Sequence, residues 1–222
     1  MVRDTPGLQV PAATLSWDTF QGTWPSEPGS TIVHRKRLAH VLTPEFSALM
    51  TFEETHLLST SRFDVVERTT TGNRGTVCRQ VIQHPGAVTI IPMVDENHVC
   101  LIRNYRLSID QTLIELPAGT LEPDEEPGRT ASRELTEETG YQAQHMQHLH
   151  GFFLSPGILD EWMHLYVATD LVAGPPAREP GETIENLIVP WEQAIQWVHE
   201  QKIHDAKTMV GLLYYDSLRS TP

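Results

Sequence analysis

The stretch Gly119–Tyr141 reads GTLEPDEEPGRTASRELTEETGY and carries the strongest local signal in this chain of 222 residues. Pro127 suits the first turn of a helix, where its missing N–H group would have no intrahelical acceptor. Ala131 and Leu135 lie four residues apart and predict an apolar stripe along one helix face. Gly140 suits the left-handed position that ends a helix. These signals predict a helix of about three turns, from Pro127 to the residue before Gly140.

Three glutamates lie on one face of this predicted helix. Glu134, Glu137 and Glu138 are spaced i, i+3 and i+4, and like charges at such spacing repel by roughly 0.2–0.5 kcal/mol per pair. The neighbouring Arg133 is expected to point elsewhere on the helical wheel. A divalent cation would turn the repulsion into binding, because carboxylates are the hard oxygen ligands that Mg²⁺ and Mn²⁺ prefer. A solvated acidic face is the alternative interpretation.

The whole stretch resembles the Nudix box, Gly-x5-Glu-x7-Arg-Glu-U-x-Glu-Glu-x-Gly-U, in which U is bulky and apolar. Gly119, Glu125, Arg133 and Gly140 stand in register with the three glutamates, so every position of single identity matches. At average residue usage, a chance match in a chain of this length is rarer than about one in a million. Tyr141 departs mildly from the pattern, since an aliphatic residue is more usual there.

The resemblance implies metal-assisted cleavage of a diphosphate linked to a nucleoside, with Mg²⁺ or Mn²⁺ as cofactor. It makes Glu134 and Glu138 the main metal ligands and catalytic residues, with help from Glu137 and from the backbone carbonyl of Ala118. It also gives architectural roles to Gly119, Glu125 and Arg133. Glu125 and Arg133 are expected to pair and to fix the loop on the helix.

Composition bounds the class of protein. Hydrophobic residues make up 39% and charged residues 20% of the chain, and no run approaches the length of a membrane span. The N-terminus lacks the apolar core of a signal peptide, and Cys78 and Cys100 have no partner at metal-ligand spacing. We therefore expect a cytoplasmic protein with two reduced core cysteines. The net charge of −13 argues against a nucleic-acid partner, and a membrane partner is not expected either.

The chain divides into three predicted parts. Residues 1–30 are rich in Pro, Gly, Ser and Thr and are expected to form an irregular arm. Residues 31–80 are expected to form an N-terminal β portion, with a hairpin around the turn at 71–75. Residues 81–216 are the predicted hydrolase domain, in which the nearly continuous apolar run 86–94 predicts a strand buried on both faces.

The order of these elements favours an α/β (α+β) fold. Strands dominate before the box, and two helices close the chain. This order suits an α/β/α sandwich around a mixed sheet, joined to a strand-rich N-terminal portion. The resemblance to the Nudix box implies the same architecture.

Marks outside the box resemble the ADP-ribose pyrophosphatase group of Nudix hydrolases. Pro156 lies 16 residues after Gly140, a distance typical of that group. Four segments also look like it: HPGAV (84–88), NYR (104–106), ELPAG (115–119) and the ending KIHDAKTMVGLL. The resemblance implies hydrolysis of ADP-ribose to AMP and ribose 5-phosphate. It also implies a homodimer, with the N-terminal β portion contributing to the dimer and to substrate contacts.

The catalytic base of this group comes from a loop after the box. Asp160 and Glu161 follow the Ser-Pro-Gly turn at 155–157. The order Ser-Pro-Gly-x-x-Asp-Glu favours Glu161 as the base, with Asp160 as the competing choice and a solvated loop acid as the alternative.

Substrate contacts are assigned to three further residues. Arg106 and Arg79 match arginines that contact substrate in related enzymes, and a guanidinium can bind phosphate oxygens bidentately. For each arginine, a surface salt bridge is the alternative. Glu115 is expected to contact the ribose or the metal.

Three functions compete. The preferred one is ADP-ribose hydrolysis, and the second is hydrolysis of GDP-mannose or another nucleoside diphosphate sugar. The third is a non-catalytic Nudix module that senses a nucleotide. The complete box, and the absence of a basic helix-turn-helix segment in the sequence, favour an enzyme.

Overall fold

The computed structural model describes residues 52–178 and 183–220, so the predicted arm at 1–30 and residues 31–51 of the predicted N-terminal β portion lie outside it. The strands are β1 (Glu53–Ser59), β2 (Asp64–Gly72), β3 (Gly75–Gln83), β4 (Ala87–Pro92), β5 (His98–Arg106), β6 (Gln111–Glu115), β7 (Ala118–Thr120), β8 (Tyr141–Phe153), β9 (Trp162–Ala173) and β10 (Ile184–Pro190). The helices are α1 (Pro127–Glu134), which continues into a π turn (Leu135–Thr139), α2 (Trp191–His199) and α3 (Ala206–Arg219). Within these ranges, no helix is long and apolar enough to cross a membrane.

The described strands form three sheets. The N-terminal sheet, in the order β1-β2-β3, is antiparallel throughout. A second antiparallel sheet has the order β10-β5-β6. The third sheet, β7-β4-β9-β8, is mixed because β4 and β9 run parallel while the outer pairs are antiparallel. The predicted mixed sheet is confirmed, and the strands beside it form separate antiparallel sheets.

Strand β4 separates two hydrophobic clusters. All six of its residues are buried, as its apolar run predicts. Successive side chains of a strand point to opposite faces, so Val88 and Ile90 pack with Ala131 and Leu135 of the box helix. Ile91 joins the other cluster, which includes residues of α2 and α3. Helices therefore cover both faces of the strand layer, which confirms the predicted α/β/α sandwich.

The predicted hairpin around 71–75 is confirmed, since β2 and β3 pair out to Gly72 and Gly75. The expectation of two core cysteines is wrong for Cys78, which is exposed, whereas Cys100 is buried. The reason is the position of Cys78 in β3, where only the last three residues are even partly buried. Both thiols are free.

Candidate active site

The box helix is α-helical over its first eight residues and then widens. It begins at Pro127 as predicted, and the stripe of Ala131 and Leu135 is fully buried. At Leu135 it changes to a π turn that ends at Gly140, whose φ of 79° is left-handed. The predicted start, stripe and stop are confirmed, but the last turn is wider than an α-helix. Single π turns inside helices occur frequently at functional sites.

Strand β7 lies against the glutamate face of this helix. The Ala118 N–H donates to Glu138 Oε2 at 3.0 Å, and Glu138 is only 4% exposed. A Cβ on Gly119 would overlap the carboxyl group of Glu134. Glycine is therefore needed at the first box position because a carboxyl group fills the space that a side chain would take. Glu134 and Glu138 thus both lie beside the Ala118-Gly119 peptide.

Arg133 bonds with three of the box acids. Its Nε and Nη2 donate to Glu125 at 3.1 and 3.0 Å, while Nη1 donates to Glu134 at 2.7 Å and to Glu137 at 3.0 Å. The bond with Glu125 is the largest cause that raises the pKa of Arg133, and the same bond lowers the pKa of Glu125. The expectation that Arg133 points away from the glutamates is wrong, because Glu137 lies four residues on, on the same helix face.

The donor chemistry of this face fits a divalent cation. Arg133 binds the carboxylates of Glu125, Glu134 and Glu137, and Glu138 lies beside β7 through the Ala118 N–H. Across residues 52–178 and 183–220, no three acidic, His or Cys side chains converge closely enough to enclose a metal by themselves. This open arrangement suits Mg²⁺, which is usually held by one or two carboxylates together with substrate phosphates.

A buried charge network lies next to the glutamate face. Glu115 is 0% exposed and accepts from Arg106 Nε and Nη2 at 2.8 and 2.6 Å and from Lys207 Nζ at 2.6 Å. Burial raises the pKa of Glu115, but bonds and charges from Arg106 and Lys207 outweigh it, so the pKa is lowered. The bond with Glu115 is the main cause that raises the pKa of Arg106, and the charge of Glu138 adds to it. Two residues assigned separately to substrate, Arg106 and Glu115, therefore bond with each other.

Sequence reasoning missed the part played by the start of α3. Asp205 caps this helix by accepting the N–H of Thr208 at 2.9 Å. Lys207 is 7% exposed and pairs with both Glu115 and Asp205, while Thr208 Oγ1 accepts the N–H of Leu116 at 2.8 Å. The start of α3 thus anchors the segment that leads into β7. The sequence signal is the pair Lys207-Thr208, which follows the capping residue Asp205 and Ala206. It could not be interpreted from the sequence because the partners, Glu115 and Leu116, are each 92 residues away.

The loop between β8 and β9 is joined to the N-terminal sheet. Ile82 donates its N–H to Ile158 O at 2.8 Å, and Asp160 donates its N–H to Ile82 O at 3.0 Å. The Asp160 carboxylate accepts the N–H of His84 at 2.9 Å and lies 3.6 Å from Arg68 Nη2. Asp160 therefore acts as a tie between this loop and strands β2 and β3.

Glu161 is oriented differently from Asp160. Its Oε1 lies 3.6 Å from His84 Nδ1, and its side chain is 14% exposed. That nitrogen also accepts the N–H of Gly86 at 3.2 Å. The separation of 3.6 Å from Glu161 Oε1 is longer than a hydrogen bond, so the Glu161 carboxylate is held less firmly than that of Asp160.

The two predicted phosphate-binding arginines belong to different sheets. Arg79 is exposed on β3, opposite Arg68 of β2, and donates to Cys78 O at 2.8 Å. It lines a surface depression of about 240 Å³ together with Phe52, Arg68, Thr70, Val77 and Val81. A second depression of about 230 Å³ shares Arg68 and Val81 and reaches the candidate base loop at Asp160. Arg106 ends β5 in the second antiparallel sheet.

Comparison with known sequences gives the family. A sequence profile of the NUDIX domain matches residues 83–210, which is more than half of the chain. The chain belongs to the Nudix family. The match begins at Gln83, the last residue of β3, so most of the N-terminal sheet precedes it. Together with the relatives below, this confirms the predicted class of enzyme, a Nudix pyrophosphohydrolase.

Several curated relatives share the matched region. The methanol dehydrogenase activator of Bacillus methanolicus is 38% identical over 144 residues, which cover 64% of this chain and 78% of the relative. The ADP-ribose pyrophosphatase of Bacillus subtilis (strain 168) is 38% identical over 138 residues, covering 61% and 75%. A GDP-mannose pyrophosphatase of Klebsiella pneumoniae is 33% identical over 138 residues, covering 58% and 69%. The predicted resemblance to ADP-ribose pyrophosphatases is confirmed by a relative of that name.

A solved structure supports the fold. It is described as the crystal structure of an ADP compounds hydrolase, and it superposes with a TM-score of 0.67 at 21% sequence identity. The superposition covers 76% of this chain and 93% of the other. The predicted Nudix fold is confirmed.

Proposed function

We propose that this Nudix enzyme hydrolyses the diphosphate bond of a nucleoside diphosphate sugar, and that ADP-ribose, cleaved to AMP and ribose 5-phosphate, is its preferred substrate. The observation that carries the proposal is the position of Glu134 and Glu138 beside the Ala118-Gly119 peptide. The 38% identity to an ADP-ribose pyrophosphatase supports the choice of substrate.

The proposed cofactor is Mg²⁺ or Mn²⁺, held by Glu134, Glu138 and the carbonyl of Ala118, with Glu137 in support. When bound, such a cation lowers the pKa of a water molecule and offsets negative charge on phosphate oxygens. Arg133 orients the carboxylates of Glu134 and Glu137 by donating to both. The Ala118 N–H orients the Glu138 carboxylate in the same way.

The proposed general base is Glu161. A base must reach the attacking water with a carboxylate oxygen that other groups do not occupy. The oxygens of Asp160 face the His84 N–H and Arg68, whereas Glu161 Oε1 lies 3.6 Å from His84 Nδ1, a nitrogen that accepts a hydrogen bond from Gly86. The surroundings of the two acids therefore favour Glu161, which would accept the proton as water attacks phosphorus.

Arg106 is the proposed first phosphate contact. Glu115 binds its Nε and Nη2, which fixes the guanidinium plane and leaves Nη1 outside that pair. A fixed guanidinium loses less freedom when it binds a phosphate oxygen. Both carboxylate oxygens of Glu115 accept from cations, the half-buried Arg106 and the buried Lys207, so we assign Glu115 to positioning Arg106. Arg79 is the proposed second contact, on the N-terminal sheet.

We extend the proposal to assembly and compartment. Apolar side chains exposed on the N-terminal sheet, at Leu57, Leu58 and Val77, support a homodimer through that sheet. Light scattering coupled to size exclusion should give twice the chain mass of 25.0 kDa. The expected compartment is the cytoplasm, and residues 31–80 remain the proposed N-terminal portion of the predicted domain plan.

A substrate panel tests the proposal. ADP-ribose, GDP-mannose, ADP-glucose, NADH and diadenosine polyphosphates are compared by kcat/KM with Mg²⁺ present, and the products are identified. We expect ADP-ribose to be preferred and AMP to be released. Preferred turnover of GDP-mannose would favour the second candidate, which the GDP-mannose pyrophosphatase relatives support. If none of the compounds is turned over, a nucleotide-sensing module becomes the better explanation.

A further inference from the structure

The end of the box helix needs hydrogen-bond donors from elsewhere in the chain. The last carbonyl groups of a helix have no intrahelical partner, and buried ones must be satisfied by other groups. Glu138 is 4% and Thr139 is 3% exposed, so the backbone here is largely shielded from water. After Gly140 the chain continues as strand β8. The four carbonyl groups from Glu137 to Gly140 therefore depend on tertiary contacts.

One feature, which we call the carbonyl strap, supplies all four donors; it consists of the segment Gly174–Arg178 and the side chain of Asn186. Its four bonds run from Ala177 N–H to Glu137 O (3.0 Å), from Arg178 Nε to Glu138 O (3.1 Å), from Asn186 Nδ2 to Thr139 O (2.7 Å) and from Gly174 N–H to Gly140 O (2.8 Å). A fifth bond, from Arg178 Nη2 to Asn186 Oδ1 at 3.0 Å, joins the two side chains.

Gly140 shows that the strap is tightly packed against the helix end. A Cβ on Gly140 would overlap the carbonyl oxygen of Gly174 and would lie 2.9 Å from Pro176 N. The left-handed φ of 79° independently favours glycine there. The last glycine of the box is therefore required both by the turn and by the segment that crosses it.

The strap and β7 hold Glu138 from opposite ends. Arg178 binds its backbone carbonyl, while the Ala118 N–H binds its carboxylate. In a helix, a shift of one residue rotates a side chain by about 100°, which would carry a carboxylate off the face it serves. The π turn already departs from the α-helical register. The donors of the carbonyl strap meet the four carbonyl groups in this register alone. They therefore determine where the side chains of the glutamates point.

We propose that Arg178 and Asn186 are positioning residues for the box, which fix Glu137 and Glu138 in the register that metal binding needs. This inference rests on the proposed function, because that function assigns the metal to this face. The donors act on backbone carbonyls and not on the carboxylates themselves. Their loss should therefore weaken metal binding by misplacing ligands whose chemistry is unchanged.

The test measures Mn²⁺ binding in the absence of substrate. Electron paramagnetic resonance of the unbound ion gives the affinity. Loss of an outer partner of a metal ligand typically weakens binding about 10–100-fold, and we expect Arg178→Met to weaken Mn²⁺ binding at least about 10-fold. Arg178→Lys should restore part of it, because an ammonium can donate one bond to Glu138 O. Arg103→Met is the matched control, since Arg103 forms an exposed ion pair with Glu185, the residue before Asn186 on β10. Arg178→Met with wild-type affinity would overturn the inference.

A second measurement does not depend on metal. Hydrogen exchange of the Ala118 amide reports its bond to Glu138, whereas the Leu116 amide reports the bond to Thr208. In Arg178→Met the Ala118 amide should exchange at least several-fold faster while Leu116 keeps its rate. Unchanged exchange at Ala118 would overturn the inference, and equal acceleration at both amides would overturn it too, because it would mean general loosening.

Asn186→Asp covers the case in which Arg178→Met does not fold. Aspartate keeps an acceptor for Arg178 but places an oxygen against Thr139 O, so Mn²⁺ binding should again weaken about 10-fold. Glu138→Gln separates this inference from the proposed function. If Glu138→Gln binds Mn²⁺ as wild type does, the metal assignment fails, and exchange at Ala118 alone decides the role of Arg178.

Discussion

Glu138 and Glu161 are both assigned to catalysis, but the protein holds them in different ways. Glu138 is buried, with its carboxylate on the Ala118 N–H and its carbonyl on Arg178. Glu161 belongs to the loop between β8 and β9. The bonds of this loop with the N-terminal sheet include those of its neighbour Asp160, whereas Glu161 Oε1 lies 3.6 Å from His84 Nδ1. Ile158 of the same loop is largely exposed. The comparison separates a fixed face, proposed to hold the metal, from a more exposed loop, proposed to take the proton.

The largest effect is expected at the fixed face. Glu138→Gln should lower kcat by more than about 100-fold, because loss of even an outer partner of a metal ligand costs about 10–100-fold. Circular dichroism should show that the variant is folded. Glu126→Gln is the matched control, since Glu126 is an exposed acid at the start of the same helix. Wild-type kcat in Glu138→Gln would remove Glu138 from the ligand set.

The second effect tests the more exposed loop between β8 and β9. Glu161→Gln should lower kcat by about 10²–10⁴-fold, the usual contribution of a general base, with KM changed less than about threefold. Such a split between kcat and KM is expected because the amide keeps the shape of the side chain and loses only its basicity. A KM effect with normal kcat would instead make Glu161 a substrate-binding residue.

The third effect concerns stability of the network behind the fixed face. Lys207→Met should lower the free energy of unfolding by about 2–4 kcal/mol at pH 7, because it leaves a buried carboxylate with one cation fewer. Urea denaturation measures this change. Lys202→Met, which removes only an exposed pair with Glu200, should change stability by less than about 0.5 kcal/mol. Equal losses in the two variants would contradict the importance of burial.

The same variant gives a pH dependence. The folded pKa of Glu115 lies below its ordinary value of 4.5, so the ionised network stabilises the fold above pH 4.5. That stabilisation is lost as the pH falls through the lowered folded pKa. The stability gap between wild type and Lys207→Met should therefore be constant near neutral pH and shrink as the pH drops below 4.5. A gap that widens on acidification would contradict this assignment.

The smallest effect is expected for Asp160→Asn. The amide can still accept the His84 N–H and loses its charge toward Arg68, 3.6 Å away. A partly exposed pair contributes at most about 1 kcal/mol, which corresponds to less than about a tenfold change in kcat. A larger loss than in Glu161→Gln would move the general base to Asp160.

The sequence predicts the local parts of this molecule well. The start of the box helix at Pro127, its stop at Gly140 and the cap at Asp205 each depend on neighbours within a few residues. The buried strand β4 and the 71–75 hairpin follow from apolar patterning and turn residues. Such features are set by short-range chemistry, which a single sequence displays directly.

Contacts between distant segments could not be predicted in this way. Lys207 meets Glu115 across 92 residues, and Arg178 meets Glu138 across 40. The carbonyl groups at the end of the π turn also have distant partners, since the carbonyl strap provides donors that a helical wheel does not include. The orientation of Arg133 is a different case, because its side chain is long enough to serve Glu125 and two other acids at once.

Release of AMP from ADP-ribose, with and without Mg²⁺, tests the central claim most directly. An equimolar mixture of ADP-ribose and GDP-mannose is given to the wild-type protein, and the products are followed by chromatography. We predict AMP and ribose 5-phosphate when Mg²⁺ is present, little GMP, and no product after chelation. Equal AMP release in a chelator, or GMP as the main product, would contradict the account.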